Sequence, residues 1–113
     1  MSYEIDGKTI ETDANGYLVN IDEWNEEVAK AIAETEGLAM TDEHWDVVNY
    51  LRDEFVNNHE NQPNMRTMTK AMQAIWSDKK VDTKMIFNLF PGNPSKQAGK
   101  IAGLPESRRK GGY

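Results

Sequence analysis

The sequence predicts a small α+β protein, mainly α, in which an N-terminal antiparallel β-meander packs on an array of about five helices. Two turn-forming dipeptides, Asp6-Gly7 and Asn15-Gly16, separate short β-prone stretches. Apolar residues then recur at helical spacing, in runs bounded by capping residues, glycine or proline. At 113 residues the chain is long enough to bury one core. We expect one domain over residues 1–105 and a mobile C-terminal arm over residues 106–113.

The predicted meander has three short strands. Tyr3–Ile5 and Lys8–Glu11 flank Asp6-Gly7, a turn in which both central positions favour positive φ. Tyr17–Val19 follows Asn15-Gly16 as the third strand. Strands of this length are not stable alone, so we expect the meander to lie against helices.

The first two helices have recognisable starts. Asn20 and Glu23 have the spacing of a capping box, and Gly37 is placed to end the helix that follows. Thr41 opens the second helix, with acidic residues in its first turn, where the helix dipole favours negative charge. The residues predicted to face inward on these helices are Ile21, Trp24, Val28 and Ile32, then Trp45, Val48, Leu51 and Phe55.

Three further helices follow a polar connection. Asn64 is the predicted cap of the third helix, and Asp82 or Thr83 begins the fourth. Asn93-Pro94 opens the last helix, because proline is well placed at a first helical position, and Gly103 ends it. The predicted inward-facing residues are Met65, Met68, Met72 and Ile75, then Ile86, Leu89 and Phe90, then Ala98, Ile101 and Ala102.

Few residues of the sequence offer catalytic chemistry. Cysteine is absent, which excludes disulfides, thiolate metal sites and sulfur nucleophiles. His44 and His59 do not make a zinc site, which needs three or four converging ligands, so we expect each to be a surface or hydrogen-bonded residue. No phosphate-binding loop or dinucleotide fingerprint occurs. We therefore expect no metal, no cofactor and no catalytic residue.

The expected location is the cytoplasm. No apolar run approaches the roughly 18–20 residues that span a bilayer. The first residues, Met1-Ser-Tyr-Glu4, do not have the pattern of a signal peptide. We expect no membrane partner.

Charge is divided unevenly along the chain. Residues 1–60 hold sixteen acidic and three basic residues, a balance of −13, whereas residues 61–113 hold ten basic and three acidic residues, a balance of +7. The favoured explanation is that the two halves attract each other. The alternative is that the basic half faces an anionic partner. The dense basic cluster runs from Arg108 to Lys110.

A helix-turn-helix is one interpretation of the stretch from Met65 to Phe90. Two helices joined by a short turn would place four residues for phosphate contacts, namely Lys79, Lys80, Thr83 and Lys84. Helix pairs with short turns are common in proteins that do not bind DNA, so nucleic-acid binding is the less favoured interpretation.

Several stretches together resemble the DsrC/TusE family, the small sulfur-carrier proteins related to the gamma subunit of dissimilatory sulfite reductase. The resemblance covers nearly the whole chain, and its most specific part is the last block, followed by a short arm. The stretches are Asp6-Gly7-Lys8, Gly16-Tyr17-Leu18, Leu38 through Thr41-Asp-Glu-His44-Trp45-Asp46 into Tyr50-Leu51-Arg52, Arg66, Thr69-Lys70-Ala71, Leu89-Phe90-Pro91, Pro94, Lys96-Gln97-Ala98 and Ala102-Gly103-Leu104-Pro105. The family fold implied is a small β-meander beside a helical array with a helix-turn-helix-like element.

The resemblance implies sulfur chemistry at two cysteines, and both are missing. Members of the sulfite-reductase type carry one cysteine directly after the Lys-Gln-Ala motif and another as the penultimate residue, whereas the tRNA-thiolation members keep only the second. The corresponding positions here are Gly99 and Gly112. The arm is also basic and about two residues longer than the family's usual arm. A natural cysteine-less paralogue explains both features better than an engineered loss of cysteine does.

Three functions remain open at this point. The leading hypothesis is a non-catalytic regulatory or interaction protein that docks on a sulfite reductase or on the tRNA-thiolation relay. Its predicted partner-binding residues are Arg108, Arg109, Lys110 and Tyr113. The second hypothesis is a nucleic-acid-binding transcriptional regulator that uses the helix pair. The third, a sulfur carrier, requires that the cysteines were removed by engineering.

Overall fold

The N-terminal residues form an antiparallel hairpin of strands β1 (Ser2–Ile5) and β2 (Lys8–Glu11), in which Tyr3 pairs with Ile10. Gly7 adopts a positive φ of 80° in the turn between them. The computed structural model describes residues 2–5, 7–58, 61–77, 80–92 and 94–105. The predicted arm, residues 106–113, lies outside the described residues, and so do His59 and Lys79.

The predicted third strand is wrong as a strand, because only an isolated bridge between Thr12 and Leu18 continues the sheet. Asp13 organises the intervening loop. Its carboxylate accepts hydrogen bonds from the backbone N–H groups of Asn15, at 2.8 Å, and Tyr17, at 3.0 Å. The Tyr17 amide thus bonds to a nearby side chain, and Val19 N–H donates to the carbonyl of Glu11 at 3.1 Å beside the bridge, so the pairing with β2 is short.

Five α-helices account for most of the remaining described chain, as the sequence predicts. They are α1 (Glu26–Thr35), α2 (Asp42–Asn57), α3 (Met65–Ile75), α4 (Thr83–Leu89) and α5 (Pro94–Ile101). Asn64 and Asp82 cap α3 and α4 through their side chains, and Thr41 precedes α2, each at its predicted position. The mainly helical α+β fold class is thus confirmed.

The first predicted helix is divided into two parts. Asn20 accepts a hydrogen bond from the backbone of Asp22 and begins a 3₁₀ turn, Ile21–Glu23. Trp24 then takes an extended conformation, with φ −72° and ψ 141°, and Asn25 caps α1 instead of Asn20. The prediction of one continuous helix from Asn20 is therefore wrong.

One hydrophobic core joins the hairpin to all five helices. The buried apolar residues with the least exposure include Ile32, Val47, Val48, Met68, Met72, Ile86, Phe90, Ala98 and Ile101. Trp45, predicted to be largely buried, is only partly buried. Ile75 is 51% exposed, and Trp76 occupies the core position at the end of α3, with its Nε1 donating to Asp46 at 2.7 Å. The helical spacing of apolar residues wrongly predicted Ile75 as the inward residue, because Trp76 lies past the end of the regular helix.

The α3 and α4 helices pack against each other, and Gln73 on α3 donates a hydrogen bond to the carbonyl of Val81 in their connection. The helix-turn-helix-like character of this pair stays a prediction. Among the described residues, no helix is both long enough and apolar enough to span a bilayer.

Replacing Leu51 by alanine is expected to lower the free energy of unfolding by roughly 2–5 kcal/mol, because truncation leaves a cavity in packed surroundings. Leu51 is 3% exposed. Val56 lies on the same helix and is 58% exposed, so Val56→Ala is the matched control. Its effect should be less than about 0.5 kcal/mol. Chemical denaturation measures both, and a loss below about 1 kcal/mol for Leu51→Ala would contradict close packing on this face.

Candidate functional site

Helix α5 carries the positions on which the functional hypotheses depend. Pro94 is fully buried at the first helical position, where a missing N–H leaves no hydrogen bond unmade. Ala98 and Ile101 have no exposed surface and hold the helix in the core. The helix contacts α1, α2 and α4, so its position is fixed from three sides.

Two side chains from distant parts of the sequence bind the C-terminal end of α5. Trp24 Nε1 donates to the carbonyl of Ile101 at 2.8 Å, and Arg52 Nη1 donates to the carbonyl of Ala102 at 2.7 Å. The last carbonyls of a helix have no partner within the helix, and a cation complements the negative end of the dipole. The Arg52 guanidinium also lies 4.2 Å from the centre of the Trp24 ring. We call this pair the α5 clamp.

Burial lowers the pKa of Arg52, and the carboxylate of Asp22 acts in the opposite direction. An arginine side chain stays protonated in proteins. The clamp therefore keeps its charge-assisted hydrogen bond to the helix end.

The chain leaves α5 through a Schellman motif. Leu104 N–H donates to the carbonyl of Gly99 at 3.0 Å, and Gly103 N–H donates to the carbonyl of Lys100 at 3.0 Å. Gly103 has a φ of +74°, and the Trp24 ring lies where a Cβ at this position would project. The predicted glycine stop is thus confirmed, and the α5 clamp imposes a second requirement for glycine.

Gly99 leaves open space on the surface of α5. A Cβ built there would meet no heavy atom within 4 Å. The adjoining small pocket is lined by Tyr17, Leu51, Gln62, Pro63, Lys96 and Leu104. Gln62 Nε2 donates to the carbonyl of Pro105 at 3.0 Å, so Pro105 lies beside this pocket.

A polar network joins α5 to the end of α1. Gln97 Nε2 donates to Glu36 at 3.3 Å, and its Oε1 accepts a hydrogen bond from the backbone N–H of Gly92 at 3.0 Å. The Lys100 ammonium lies 3.6 Å from the other Glu36 oxygen. Two open grooves, of about 400 and 280 Å³, share Asn15, Glu36 and Lys100 in their walls. This network positions α5 and contains no sulfur atom or other strong nucleophile.

His44 has a structural role in α2. Its Nδ1 accepts a hydrogen bond from the backbone N–H of Thr41 at 3.1 Å, and its Nε2 then donates to the carbonyl of Leu89 at 2.8 Å. The ring also packs edge-on against Phe90. The prediction of a hydrogen-bonded histidine is confirmed for His44. No group of three or more His, Cys, Asp or Glu side chains that would hold a metal ion occurs in the part of the chain that the structure describes.

The residues predicted to contact nucleic acid lie away from the Gly99 pocket. Lys80, Thr83 and Lys84 are exposed near the start of α4, and none of them lines this pocket. The predicted partner-binding residues of the arm lie outside the described residues, as does Gly112, the second glycine that the resemblance places at a family cysteine position. These residues are Arg108, Arg109, Lys110, Gly112 and Tyr113.

The sequence does not predict that Trp24 and Arg52 form the α5 clamp. Trp24 has the spacing of a core residue, and its hydrogen bond to Ile101 joins residues 77 positions apart. A signal for Arg52 does exist, because it is one of three basic residues among the first sixty and adjoins the buried Leu51. A rare basic residue beside a buried one suggests that its side chain has a specific hydrogen-bond acceptor, but the sequence does not identify that acceptor.

The fold and the α5 site define a small α+β protein whose C-terminal helix presents a pocket and a fixed chain exit. Within the described residues it presents no metal-binding cluster. The profile of the family described as "DsrC like protein" matches residues 4–109. The chain belongs to the DsrC-like family, the DsrC/TusE family of sulfur-relay proteins.

Two relatives and two solved structures show how far the similarity extends. The sulfurtransferase TusE of Pectobacterium atrosepticum is 43% identical over 103 residues, which cover 91% of this chain and 94% of the relative. The sulfurtransferase TusE of Escherichia coli K12 is 44% identical over 101 residues, 89% of this chain and 92% of the relative. The solution structure of Allochromatium vinosum DsrC has a TM-score of 0.86 and 37% identity, with 96% of each chain covered.

The other structure is the oxidized gamma subunit of the dissimilatory sulfite reductase of Archaeoglobus fulgidus. It has a TM-score of 0.86 and 32% identity, covering 96% of this chain and 98% of that subunit. These similarities confirm the predicted family and fold.

Replacing Gly99 by alanine is expected to raise the free energy of unfolding by about 0.5–1 kcal/mol, because alanine favours the helix and its methyl group enters open space. Gly103→Ala is the matched comparison within the same motif. It should destabilise by about 1–2 kcal/mol or more, because its positive φ strains a side chain and the Trp24 ring blocks the methyl group. Thermal and chemical denaturation measure both variants. Destabilisation by Gly99→Ala would show that the space beside Gly99 is filled.

Proposed function

We propose that this chain is a DsrC/TusE-family protein that docks on sulfur-relay or sulfite-reductase partners in the cytoplasm and does not itself carry sulfur. The observation that carries the proposal is the absence of cysteine from all 113 residues. A protein carries sulfane sulfur as a persulfide on a thiolate, and no side chain of this sequence supplies one. The protein would therefore act as a regulatory or interaction protein and not as an enzyme.

The preserved binding framework supports the docking part of the proposal. Helix α5 is well packed, ends in a Schellman motif and has open space at Gly99, which the resemblance assigns to a family cysteine position. The exit of the chain beside this pocket is held by Gln62. A partner that receives the C-terminal region of a carrier would thus meet a similar surface without a reactive sulfur atom. Such a protein competes with a functional carrier.

The basic arm supports electrostatic docking on that partner. Arg108, Arg109 and Lys110 replace the short arm of the carriers with a cluster of positive charge, and Tyr113 supplies an aromatic ring near them. Complementary charge at the rim of an interface mainly raises the rate of encounter. We therefore assign partner binding to these four residues.

The nucleic-acid alternative has one observation in its favour. Lys80, Thr83 and Lys84 are exposed at the α3–α4 pair. Steep salt dependence of binding to duplex DNA would favour this alternative. Retrieval of sulfur-relay proteins in a pull-down would favour the docking proposal.

The unsubstituted chain is expected to acquire no sulfur from a persulfide-loaded sulfurtransferase, because it has no thiol. Intact-mass spectrometry measures the outcome, with a relative such as the E. coli sulfurtransferase TusE as the positive control. A stable addition of the mass of one sulfur atom to the unsubstituted chain would contradict the proposal. Gly112→Cys and Gly99→Cys then test separately whether either position still accepts sulfur once a thiol is restored.

Deletion of Ser107–Tyr113 is expected to leave the melting temperature nearly unchanged and to weaken partner binding. The deleted residues include no aliphatic side chain, and exposed ion pairs contribute at most about 1 kcal/mol each. The lost affinity should be larger at low than at high ionic strength. A full-length variant with Arg108→Ser, Arg109→Ser and Lys110→Ser loses the charge of the arm but keeps its length, so it separates the two contributions to binding. A large loss of stability would show that the arm stabilises the fold. Unchanged partner binding would contradict the proposed role of the arm.

A further inference from the structure

Two open grooves beside α5 meet at one charged pair. The larger groove, of about 400 Å³, and the smaller groove, of about 280 Å³, share Glu36 and Lys100 in their walls. The Lys100 ammonium lies 3.6 Å from Glu36 Oε2, whereas a charge-assisted hydrogen bond spans about 2.7–2.9 Å. The side chains of Lys100 and Glu36 are 17% and 26% exposed. Both charged groups therefore retain hydrogen-bonding capacity toward a molecule in the grooves.

Glu36 occupies a position where its own helix does not favour a carboxylate. It is the C-cap residue of α1, whose last turn contains no basic residue, and the helix dipole is negative at this end. Gln97 is 6% exposed and donates to Glu36 Oε1 at 3.3 Å, which orients the carboxylate. A carboxylate that does not stabilise α1 is thus held at the junction of the two grooves.

Lys96 adds a second cation to the smaller groove. Lys96 and Lys100 are one turn apart on α5, and both side chains line this groove. Lys96 forms no ion pair with the other residues that the structure describes. The smaller groove therefore combines two ammonium groups with the single carboxylate of Glu36.

The larger groove has neutral walls beyond the charged pair, which include Ser2, Thr12 and Thr35. Tyr3 Oη donates to the carbonyl of Gly16 at 3.3 Å and forms part of one wall. Gly16 has a φ of +87°, and a Cβ there would lie 2.7 Å from the Lys100 side chain, so glycine lets this loop approach the charged pair. The volume falls within the roughly 300–1,000 Å³ of small-molecule sites. This groove accepts an uncharged side chain.

We propose that the two grooves form a binding site for a free α-amino acid with an uncharged side chain. The ammonium group of the ligand pairs with Glu36, and its carboxylate pairs with Lys96 and Lys100. The side chain of the ligand lies in the larger groove beside Tyr3. This site goes beyond the proposed docking function and does not depend on it.

The three charged groups favour an amino acid over a simpler ion. A carboxylic acid or a phosphate ester would meet the Glu36 carboxylate in the same groove as the two lysines, and like charges repel. A simple amine would be repelled by Lys96 and Lys100. An α-amino acid places an opposite charge beside each of the three groups, because its ammonium group and its carboxylate are bonded to one carbon atom.

The test titrates L-phenylalanine, L-methionine and L-glutamine into the full chain and follows the backbone amide signals by NMR. We expect saturable binding of at least one of them, with shifts centred on residues that line both grooves. Each amino acid that binds is compared with an acid analogue that lacks the ammonium group and an amine analogue that lacks the carboxylate. For L-phenylalanine these are 3-phenylpropionate and 2-phenylethylamine. Each analogue should bind about tenfold or more weakly than the amino acid.

Substitutions test the charged groups separately. Glu36→Gln should weaken binding of the amino acid by about tenfold and should not weaken binding of the acid analogue, because a repulsion is removed. Lys96→Gln should weaken binding of the amino acid severalfold and should not weaken binding of the amine analogue. Glu27→Gln is the matched control, because Glu27 forms an exposed 3.6 Å ion pair with Lys30 on α1. It should leave the affinity within about twofold.

Absence of saturable binding of all three amino acids at millimolar concentration would overturn the inference. Equal affinity for an amino acid and either of its analogues, or unchanged affinity in Glu36→Gln, would overturn it as well. Shifts confined to residues outside the two grooves would contradict the location of the site. Melting curves verify that the variants fold, and Lys96 is partly exposed, so Lys96→Gln keeps the test decisive if Glu36→Gln is unstable.

Discussion

The α5 clamp is the contact on which the functional surface depends. Trp24 and Arg52 come from different elements and meet at the last carbonyls of the C-terminal helix, where backbone acceptors have no helical partners. A hydrogen bond from a charged donor contributes about 1.5–3 kcal/mol, more than most single polar contacts. The clamp explains why the first predicted helix is interrupted at Trp24 and why the Trp24 ring leaves no room for a side chain at Gly103. It fixes the point from which the C-terminal segment leaves the domain.

That fixed exit connects the fold with the proposed function. Pro105 is held by Gln62 beside the space at Gly99, the position that the family resemblance assigns to a cysteine. Family membership alone would suggest sulfur transfer, because the relatives named TusE are sulfurtransferases. The absence of a thiol from the sequence is the reason for proposing binding instead. The family fold and the absence of a thiol are together the basis of the proposal that this protein occupies a partner without passing sulfur to it.

The sequence predicted the fold well where the signal was local. Asn64 and Asp82 accept hydrogen bonds from nearby backbone amides, and Thr41 and Pro94 lie at the starts of their helices, so a short window of sequence contains the cause of each start. Predictions were wrong where a distant contact decided the outcome. Trp24 follows a helical apolar pattern but leaves the helix, and its indole bonds to α5. The resemblance located Gly99, whereas the α5 clamp required the tertiary structure.

The most direct test of the account is a competition measurement. A sulfur-transfer reaction from a persulfide donor to the E. coli TusE relative would be followed by mass spectrometry while this chain is added. We predict that transfer to the relative slows in a saturable way, that excess relative restores the rate, and that this chain remains free of added sulfur. An unchanged transfer rate at saturating concentrations of this chain, or sulfur found on it, would contradict the account.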